Sequence, residues 1–421
     1  GQKHKEENET GTVAPRAVDT VSSAVPPKKK PARLHSLDTF RGLTLCLMIF
    51  VNYGGGGYWF FEHADWHGLT FADVLFPWFM WMMGVSMALS FEALAAKNVP
   101  TKTLWRKALR RTFILFWLGM FLANGYELKT WRIPGTSHAY CEVGYLPFQA
   151  YNLVVSCIRG IFGSLCYPRP STVLSAYRME WAIQLSLVVI YIAVTLGAKA
   201  PGCPRGYIGP GGIGDHGDHS DCTGGIHRYM DIMLFTDDLI FHAPTCKELY
   251  SCQSYDPEGF LGTLTASFLT YLGLMAGRVL IHFPSHRERL TRWAIWAISF
   301  MFLAGIFCGF SKNDGFLPIN KNLWTTSFAF VTAGGGLVCL SVTYVLVDVL
   351  KVWTGAPFIS MGMNSILIYV GHDILAGFFP FRYYETDSGS HARVLQMNLI
   401  GTTCWVLIGV YMHRINFFVK V

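Results

Sequence analysis

Long apolar blocks separated by short polar links dominate this chain and limit what it can fold into. Apolar residues make up 52% of the 421 residues and charged residues only 14%, which is too apolar for a soluble domain of this size. Most blocks reach the roughly 20 residues that a helix needs to cross a bilayer. The pattern predicts an all-α polytopic membrane protein, a bundle of about ten transmembrane helices, near residues 42–61, 70–94, 108–125, 143–167, 179–198, 259–281, 292–310, 325–349, 357–380 and 395–413.

The charges of the links predict how this bundle is oriented. Basic links follow the second and sixth spans and should face the cytoplasm under the positive-inside rule. Between them lies the long acidic loop 199–258, with four cysteines that suggest an oxidising compartment and whose pairing the spacing leaves open. Reaching this loop from the first basic link takes an odd number of crossings, so the weak span 143–167 must be counted. The parity predicts a luminal, at least partly disulfide-bonded loop at 199–258, with Cys203, Cys222, Cys246 and Cys252, and both chain ends in the cytoplasm.

The chain divides into two regions of different composition. Residues 1–35 are charged and rich in proline and lysine, which predicts a disordered basic cytoplasmic segment. Its sequon at Asn8 should therefore stay unglycosylated. Residues 36–421 form the transmembrane domain. The net charge of +7 is clustered in links, and we find no nucleic-acid-binding signature. The histidines and aspartates of 215–221 are too loosely spaced to predict a metal site.

The strongest candidate site lies where the first span meets its luminal loop. Asn52 is followed by the glycine run Gly54–Gly57 and by His63 in an aromatic stretch. Polar groups at the edge of a hydrocarbon layer are costly and suggest a functional site. A neutral imidazole can act as a base or nucleophile, while an amide can orient that ring or donate to an oxyanion. Asp73, early in the second span, can also orient His63. The alternative is an interfacial aromatic belt with a solvated histidine.

Two further polar sets have both a functional and a structural interpretation. Asn364 and His372 are eight residues apart in the span 357–380 and should face inward, either lining a ligand path or bonding helices together. Asp38 and Arg41, at the start of the first span, should pair with each other or cap the helix. Arg41 can alternatively hold a phosphate at the cytoplasmic face.

Several blocks, in order from about Leu34 to the C-terminus, resemble the heparan-alpha-glucosaminide N-acetyltransferase family. They include Ser-Leu-Asp-Thr-Phe-Arg-Gly at 36–42, Val-Asn-Tyr-Gly-Gly-Gly at 51–56, Leu-Thr-Phe-Ala-Asp-Val-Leu-Phe-Pro-Trp at 69–78, Pro-Gly-Cys-Pro-Arg-Gly-Tyr-Ile-Gly-Pro-Gly-Gly-Ile-Gly-Asp at 201–215, Tyr-Asp-Pro-Glu-Gly at 255–259, Asn-Lys-Asn-Leu-Trp at 320–324 and Gly-Met-Asn-Ser-Ile-Leu-Ile-Tyr-Val-Gly-His at 362–372.

This resemblance implies a multi-pass enzyme of the lysosomal membrane. It would move an acetyl group from cytosolic acetyl-CoA, its co-substrate, to the terminal non-reducing glucosamine of heparan sulfate in the lumen. His63 matches the active-site histidine and Asn52 the essential asparagine. Arg41, Asp38, Asn364 and His372 then become candidates for binding acetyl-CoA. The resemblance also implies a homodimer, with no metal and no nucleic acid as partner.

The chain departs from the family pattern in two places. The luminal domain and first transmembrane helix that precede these blocks are missing, so the chain is expected to be part of a longer protein. The atypical segment 136–179 lacks a family arginine, which bears on acetyl-CoA binding, folding and activity. Three alternatives stay open: a transporter or channel for a small polar solute, an acyltransferase acting on another sugar, and an inactive chain. The sequence does not separate a ping-pong from a ternary-complex route.

Overall fold

A computed structural model describes residues 33–95, 177–235, 240–382 and 390–419, apart from isolated positions elsewhere. These ranges are helical and contain no strand. The predicted spans near 108–125 and 143–167 lie largely outside them, as do most of the atypical segment 136–179 and Asn8 with its surroundings.

The helices follow the predicted apolar blocks closely. Within the described ranges, six helices are long and apolar enough to cross a membrane: Phe71–Leu94, Arg178–Gly197, Gly262–His282, His286–Phe307, Thr326–Val349 and His391–Arg414. The all-α polytopic fold is confirmed, while the total of about ten spans stays a prediction. The helices are α1 His35–Asn52, α2 Phe71–Ala95, α3 Arg178–Gly197, α4 Ile226–Phe235, α5 Cys246–Tyr250, α6 Gly262–His282, α7 His286–Phe307, α8 Thr326–Tyr344, α9 Phe358–Met363, α10 Ser365–Ile374 and α11 His391–Arg414.

The first helix ends earlier than the apolar pattern predicts. The span was expected at 42–61, but α1 ends at Asn52. The next residues include Gly54–Gly57, whose φ angles are 115°, 55°, 74° and 71°. A right-handed helix needs negative φ, and only glycine adopts positive values readily, so these residues stop the helix. Asn52 therefore stands at a helix end, where irregular chain begins.

The ninth predicted span, 357–380, is not one helix. It divides into α9 and α10 at Asn364, whose φ and ψ are −118° and 29°. The Asn364 carboxamide is used in two hydrogen bonds to the C-terminal backbone: Nδ2 donates to Phe417 O at 2.8 Å, and Val419 N donates to Oδ1 at 3.2 Å. These bonds tie the C-terminal segment to the point where the helix is broken. Asn364 and His372 consequently lie on separate helical segments, although their spacing of eight residues would place them on one face of a continuous helix.

Glycines bring two helix pairs into direct backbone contact. A Cβ built on Gly84 of α2 would lie 2.0 Å from Thr270 O of α6. Between α1 and α9, a Cβ on Gly42 would lie 1.8 Å from Phe358 O. Small residues allow this close approach, which favours helix association in lipid because packing, not water exclusion, drives it. The contacts fix α1 and α2, which carry the site residues, against the rest of the bundle.

The loop 199–258 is a folded, disulfide-bonded structure. Disulfides join Cys203 to Cys222 and Cys246 to Cys252, which confirms the predicted bonding. Trp66, from the connection between α1 and α2, is 1% exposed and donates from Nε1 to Ile208 O at 2.8 Å. The loop therefore packs onto the connection that carries His63. Its luminal location stays a prediction.

Replacing Cys203 and Cys222 with alanine should lower the free energy of unfolding by about 3 kcal/mol, because the bridge closes a 19-residue separation and restricts the unfolded chain. The matched control is alanine at both Cys246 and Cys252, which closes only six residues. By the same loop-entropy argument its loss should be roughly 1 kcal/mol smaller. Denaturant unfolding of the purified protein measures both. Ready labelling of Cys203 by a thiol reagent without prior reduction would contradict the pairing.

The loop also contains a buried acid that should make its stability depend on pH. Asp231 of α4 is 2% exposed, and burial raises its pKa to about 7, although Phe260 N donates to Oδ1 at 2.8 Å. Because the folded pKa exceeds the unfolded value near 3.8, the folded state holds an extra proton between them. The resulting stability is complete below about pH 4 and is lost as pH rises through 7.

The substitution Asp231→Asn removes this titration and keeps an oxygen that can accept from Phe260 N. The variant should therefore gain stability relative to wild type as pH rises from 4.5 to 7.5, by more than about 1 kcal/mol. His227 titrates in the opposite sense, since burial lowers its pKa to about 3, but it is common to both proteins. Thermal unfolding of the pair across this pH range measures the difference. A difference independent of pH would contradict the account.

Candidate active site

His63 lies against a buried carboxyl group of the second helix. Its Nδ1 is 2.7 Å from Oδ1 of Asp73, with the His63 side chain 37% exposed and the Asp73 side chain 1% exposed. The sequence had suggested either Asn52 or Asp73 as the residue that orients His63, and the structure shows the contact with Asp73. An acid bonded to one ring nitrogen fixes the orientation of a histidine and stabilises the positive charge that it acquires. His63 therefore has the environment of a reactive imidazole.

Asp73 is itself held rigidly by three donors to its other oxygen. Oδ2 accepts from Thr70 N at 3.1 Å, Thr70 Oγ1 at 2.9 Å and Ala64 N at 3.2 Å. The acid stands in the first turn of α2, where the free backbone N–H groups favour negative charge. The residues between His63 and Asp73 are thus tied to the same carboxyl group. This local ring of hydrogen bonds sets the geometry of the pair.

Lys321 reaches the same point from the connection between α7 and α8. Its Nζ is 3.2 Å from Nδ1 and 3.4 Å from Nε2 of His63, and 3.9 Å from Oδ1 of Asp73. A lysine ammonium has donors and no acceptor, so it balances the buried acid and can donate to an incoming oxygen. The lysine was present in one of the family-like blocks, but no spacing in the sequence pointed to it. It lies 258 residues beyond His63.

The segment around Lys321 is anchored to the histidine loop by a second contact. Asn320 Nδ2 donates to His67 Nδ1 at 3.2 Å, and Leu323 N donates to Asn320 Oδ1 at 3.0 Å. Burial lowers the pKa of His67 to about 4, and the charge of Lys312 adds to this effect while Asp215 opposes it. His67 is therefore neutral above about pH 4 and can accept this bond. The contact holds Lys321 beside His63.

Asn52 contacts a different histidine from the one expected. Its Nδ2 is 3.0 Å from Nε2 of His372 in α10, and no described hydrogen bond joins it to His63. His372 Nδ1 bonds to the carbonyl oxygen of Tyr369, so Nδ1 carries the hydrogen and Nε2 accepts from Asn52. The cause is the early end of α1: the positive-φ glycines turn the chain away before it reaches His63. His372 thus orients Asn52 and leaves Oδ1 and one N–H for a ligand.

Asp38 and Arg41 pair at the opposite end of α1, as expected. Arg41 Nη1 lies 3.1 Å from Asp38 Oδ1, and Arg41 Nη2 donates to Ser86 Oγ of α2 at 2.6 Å. Arg33 Nε adds a contact of 2.6 Å to Asp38 Oδ2. The rise of an α-helix separates Arg41 from Asn52 by about 16 Å along α1. The structure therefore places the Asp38–Arg41 pair and Asn52 at opposite ends of α1. The roles of Arg41, Asp38, Asn364 and His372 in binding acetyl-CoA stay predictions.

An apolar cavity of about 510 Å³ lies next to the pair formed by His63 and Asp73. This volume is in the range of small-molecule sites. The wall includes Thr70, whose hydroxyl bonds to Asp73. The other side chains of the wall are apolar: Leu47, Trp59, Phe60, Phe61, Leu69 and Phe71. The cavity therefore suits an apolar group rather than a phosphate or a sugar. Among the described residues, no cluster of histidine, cysteine and acidic side chains could hold a metal ion.

Comparison with known proteins identifies two similar proteins with the same name. The chain is 38% identical over 424 residues to the heparan-alpha-glucosaminide N-acetyltransferase of Mus musculus, across 97% of this chain and 64% of that protein. It is likewise 38% identical over 402 residues to the Homo sapiens protein of the same name, across 93% of this chain and 60% of the relative. Over nearly its whole length the chain is therefore similar to two curated heparan-alpha-glucosaminide N-acetyltransferases. It spans less than two thirds of the length of these relatives, and no protein-family model matches it.

Proposed function

We propose that the protein transfers an acetyl group across the lysosomal membrane, from cytosolic acetyl-CoA to the terminal non-reducing glucosamine of luminal heparan sulfate. The names of the two relatives support this activity and this acceptor. The observation that carries the proposal in this chain is the 2.7 Å contact between His63 and a buried, fully hydrogen-bonded Asp73. That arrangement suits acyl transfer, which needs a base or a nucleophile at the acceptor amine.

The reaction joins the glucosamine nitrogen to the acetyl carbonyl carbon and breaks the carbon–sulfur bond of the thioester. The amine must lose a proton, and an amine in an acidic lumen is mostly protonated, so a base assists. His63 Nε2 takes that proton directly, or the ring first accepts the acetyl group. In both routes the ring becomes positive and Asp73 stabilises it. The leaving thiolate of CoA finally takes up a proton.

Lys321 and Asn52 supply the remaining polar contacts of this mechanism. The Lys321 ammonium can donate to the carbonyl oxygen as negative charge develops there, which is the usual task of an oxyanion donor. Asn52 presents Oδ1 and one N–H while His372 holds the other N–H. Both residues therefore have a free polar atom for substrate.

Donor binding extends along α1 toward Arg41. The phosphates of acetyl-CoA stay at the cytoplasmic end, where Arg41 and Asp38 lie, while the slender pantetheine arm covers the roughly 16 Å of helix to Asn52. Asn364 joins α9 to α10 and His372 lies in α10, and both of these helices contact α1. Homodimerisation remains a prediction that rests on the family resemblance alone.

Substitutions at Asn52 and His372 should act on one interaction. Asn52→Ala should lower the transfer rate by about 10²-fold, in the range of a lost oxyanion donor. His372→Ala should lower it less, since Asn52 stays in place but loses its orientation. In the double variant the losses should not add, because both remove the same contact. Initial rates at saturating acetyl-CoA measure all three. Strict additivity would contradict the coupling.

The activity itself is tested with labelled acetyl-CoA and a panel of acceptors in detergent-solubilised membranes. We expect label on an oligosaccharide of heparan sulfate that ends in glucosamine, and none on the same oligosaccharide after its amine is blocked. Preference for another sugar would favour the acyltransferase alternative. Solute movement in vesicles with no acetylated product would favour the transporter. If the protein showed neither acetyl transfer nor solute movement, the proposal would be contradicted for this chain.

A further inference from the structure

Asn398 of α11 has a buried side-chain amide that makes no hydrogen bond to the described residues. The residue is 1% exposed, and neither Oδ1 nor Nδ2 has a hydrogen-bond partner among the residues that the structure describes. Buried polar atoms are nearly always paired, because leaving them unpaired costs free energy. An apolar side chain of similar size would avoid that cost. The amide therefore calls for a partner that the described part of the chain does not supply.

The unpaired amide faces the glycine run that follows Asn52. A Cβ built on Gly54 would lie 3.3 Å from Asn398 Nδ2, so the amide lies directly against the backbone of Gly54, where a larger residue would crowd it. Earlier in α11, His391 Nδ1 donates to Gly56 O at 3.3 Å, and the side chain of Leu395 lies against Gly56. The first two turns of α11 thus lie alongside the glycine run. A run without side chains lets a narrow ligand approach closely.

The chemistry of this place fits a neutral ligand group. The neighbours of Asn398 on its own helical face are Leu395, Gly401 and Thr402, which carry no charge. The amide offers one acceptor and one pair of donor hydrogens. The pantetheine arm of an acyl-CoA contains two secondary amides, each with one N–H and one carbonyl, on a slender, uncharged chain that is unbranched between the thiol and the second amide. A sulfated sugar is neither neutral nor slender.

We propose that Asn398 binds an amide of the pantetheine arm of acetyl-CoA, beside Gly54 and close to Asn52. This inference rests on the proposed function, since it assigns a residue to the donor named there. Oδ1 accepts from the pantetheine N–H, and Nδ2 donates to a pantetheine carbonyl. The contact would align the thioester with the end of α1. Asn398 is in this sense a binding residue for the donor and takes no part in bond breaking.

The test compares stability and affinity in the same variant. Asn398→Leu should leave the melting temperature of the ligand-free protein unchanged or raised, because an unpaired amide is removed. It should also weaken binding of acetyl-CoA and of S-acetylpantetheine by about tenfold, for the loss of one or two hydrogen bonds. Binding of adenosine bisphosphate, the nucleotide half of CoA, should not change. The matched control is Asn364→Leu, which removes a fully bonded amide and should lower the melting temperature.

The results of this experiment distinguish a failure of the inference from a failure of the proposed function. Unchanged affinity of Asn398→Leu for acetyl-CoA, with normal binding by wild type, would overturn the inference alone. A loss of stability as large as that of Asn364→Leu would show that the amide has a structural partner, such as a buried water, and would also overturn it. Absence of acetyl-CoA binding by wild type would overturn the inference together with the proposed function.

Discussion

Replacing His63 with alanine is expected to lower acetyl transfer by at least 10²–10⁴-fold, roughly the contribution of a positioned base. The ring is the group that contacts both Asp73 and Lys321, so nothing else in this cluster can take its role. Affinity for acetyl-CoA should stay close to that of wild type, because the phosphate contacts that we propose lie at the other end of α1. Initial rates and equilibrium binding, measured on the same preparation, separate the two quantities.

The control for this variant is His242→Ala. His242 is an exposed histidine of the loop 199–258 and lies outside the cluster, where its ring contacts Ser254 at 2.8 Å. The control should transfer acetyl groups at the wild-type rate. Incubating each protein with labelled acetyl-CoA and no acceptor also distinguishes the two routes. Label retained on wild type and absent from His63→Ala would indicate an acetyl-histidine, whereas no label on either would indicate direct transfer.

The second large effect is expected from Asp73→Asn. With its oxygen bonded to Thr70 and Ala64, the new amide would turn its NH₂ group toward His63 Nδ1 and donate to it. The ring hydrogen would then sit on Nε2, and the nitrogen that should take the amine proton would no longer be free. We expect the rate to fall by about 10³–10⁴-fold, as for the loss of an orienting acid.

The kinetic pattern separates this effect from simple damage to the fold. The bonds from Thr70 and Ala64 are kept, so the melting temperature should change little and the affinity for acetyl-CoA should hold. Asp65→Asn is a suitable control, since Asp65 is an exposed acid in the same connection. A rate for Asp73→Asn within about threefold of wild type would mean that the acid serves only to cap α2.

The sequence predicted the features that depend on composition or on near neighbours. Bilayer-length apolar blocks gave the long helices, because a spanning helix must be apolar over most of its length. The acid ten residues from His63 could be proposed as its partner because a short connection and a helix start constrain both. Four cysteines in one loop predicted disulfides, although their order in the chain did not determine which of them pair.

Features that depend on distant segments or on backbone breaks were not predictable in the same way. The contact of Lys321 with His63 joins parts of the chain 258 residues apart, and no periodicity encodes it. The contact of Asn52 with His372 was not predictable either, because the apolar block continues past the point where glycines end α1. The apolar pattern of 357–380 likewise hid the break at Asn364, which the C-terminal backbone stabilises.

The most direct test of the central claim uses sealed vesicles with a donor on one side and an acceptor on the other. Glucosamine-terminated heparan sulfate oligosaccharide is loaded inside, and labelled acetyl-CoA is added outside, to vesicles carrying wild type or His63→Ala in a known orientation. We predict labelled N-acetylated oligosaccharide inside the wild-type vesicles, no free acetyl-CoA inside, and no product with the variant. Product formation by His63→Ala at the wild-type rate would contradict the assignment of His63 as the residue through which transfer proceeds.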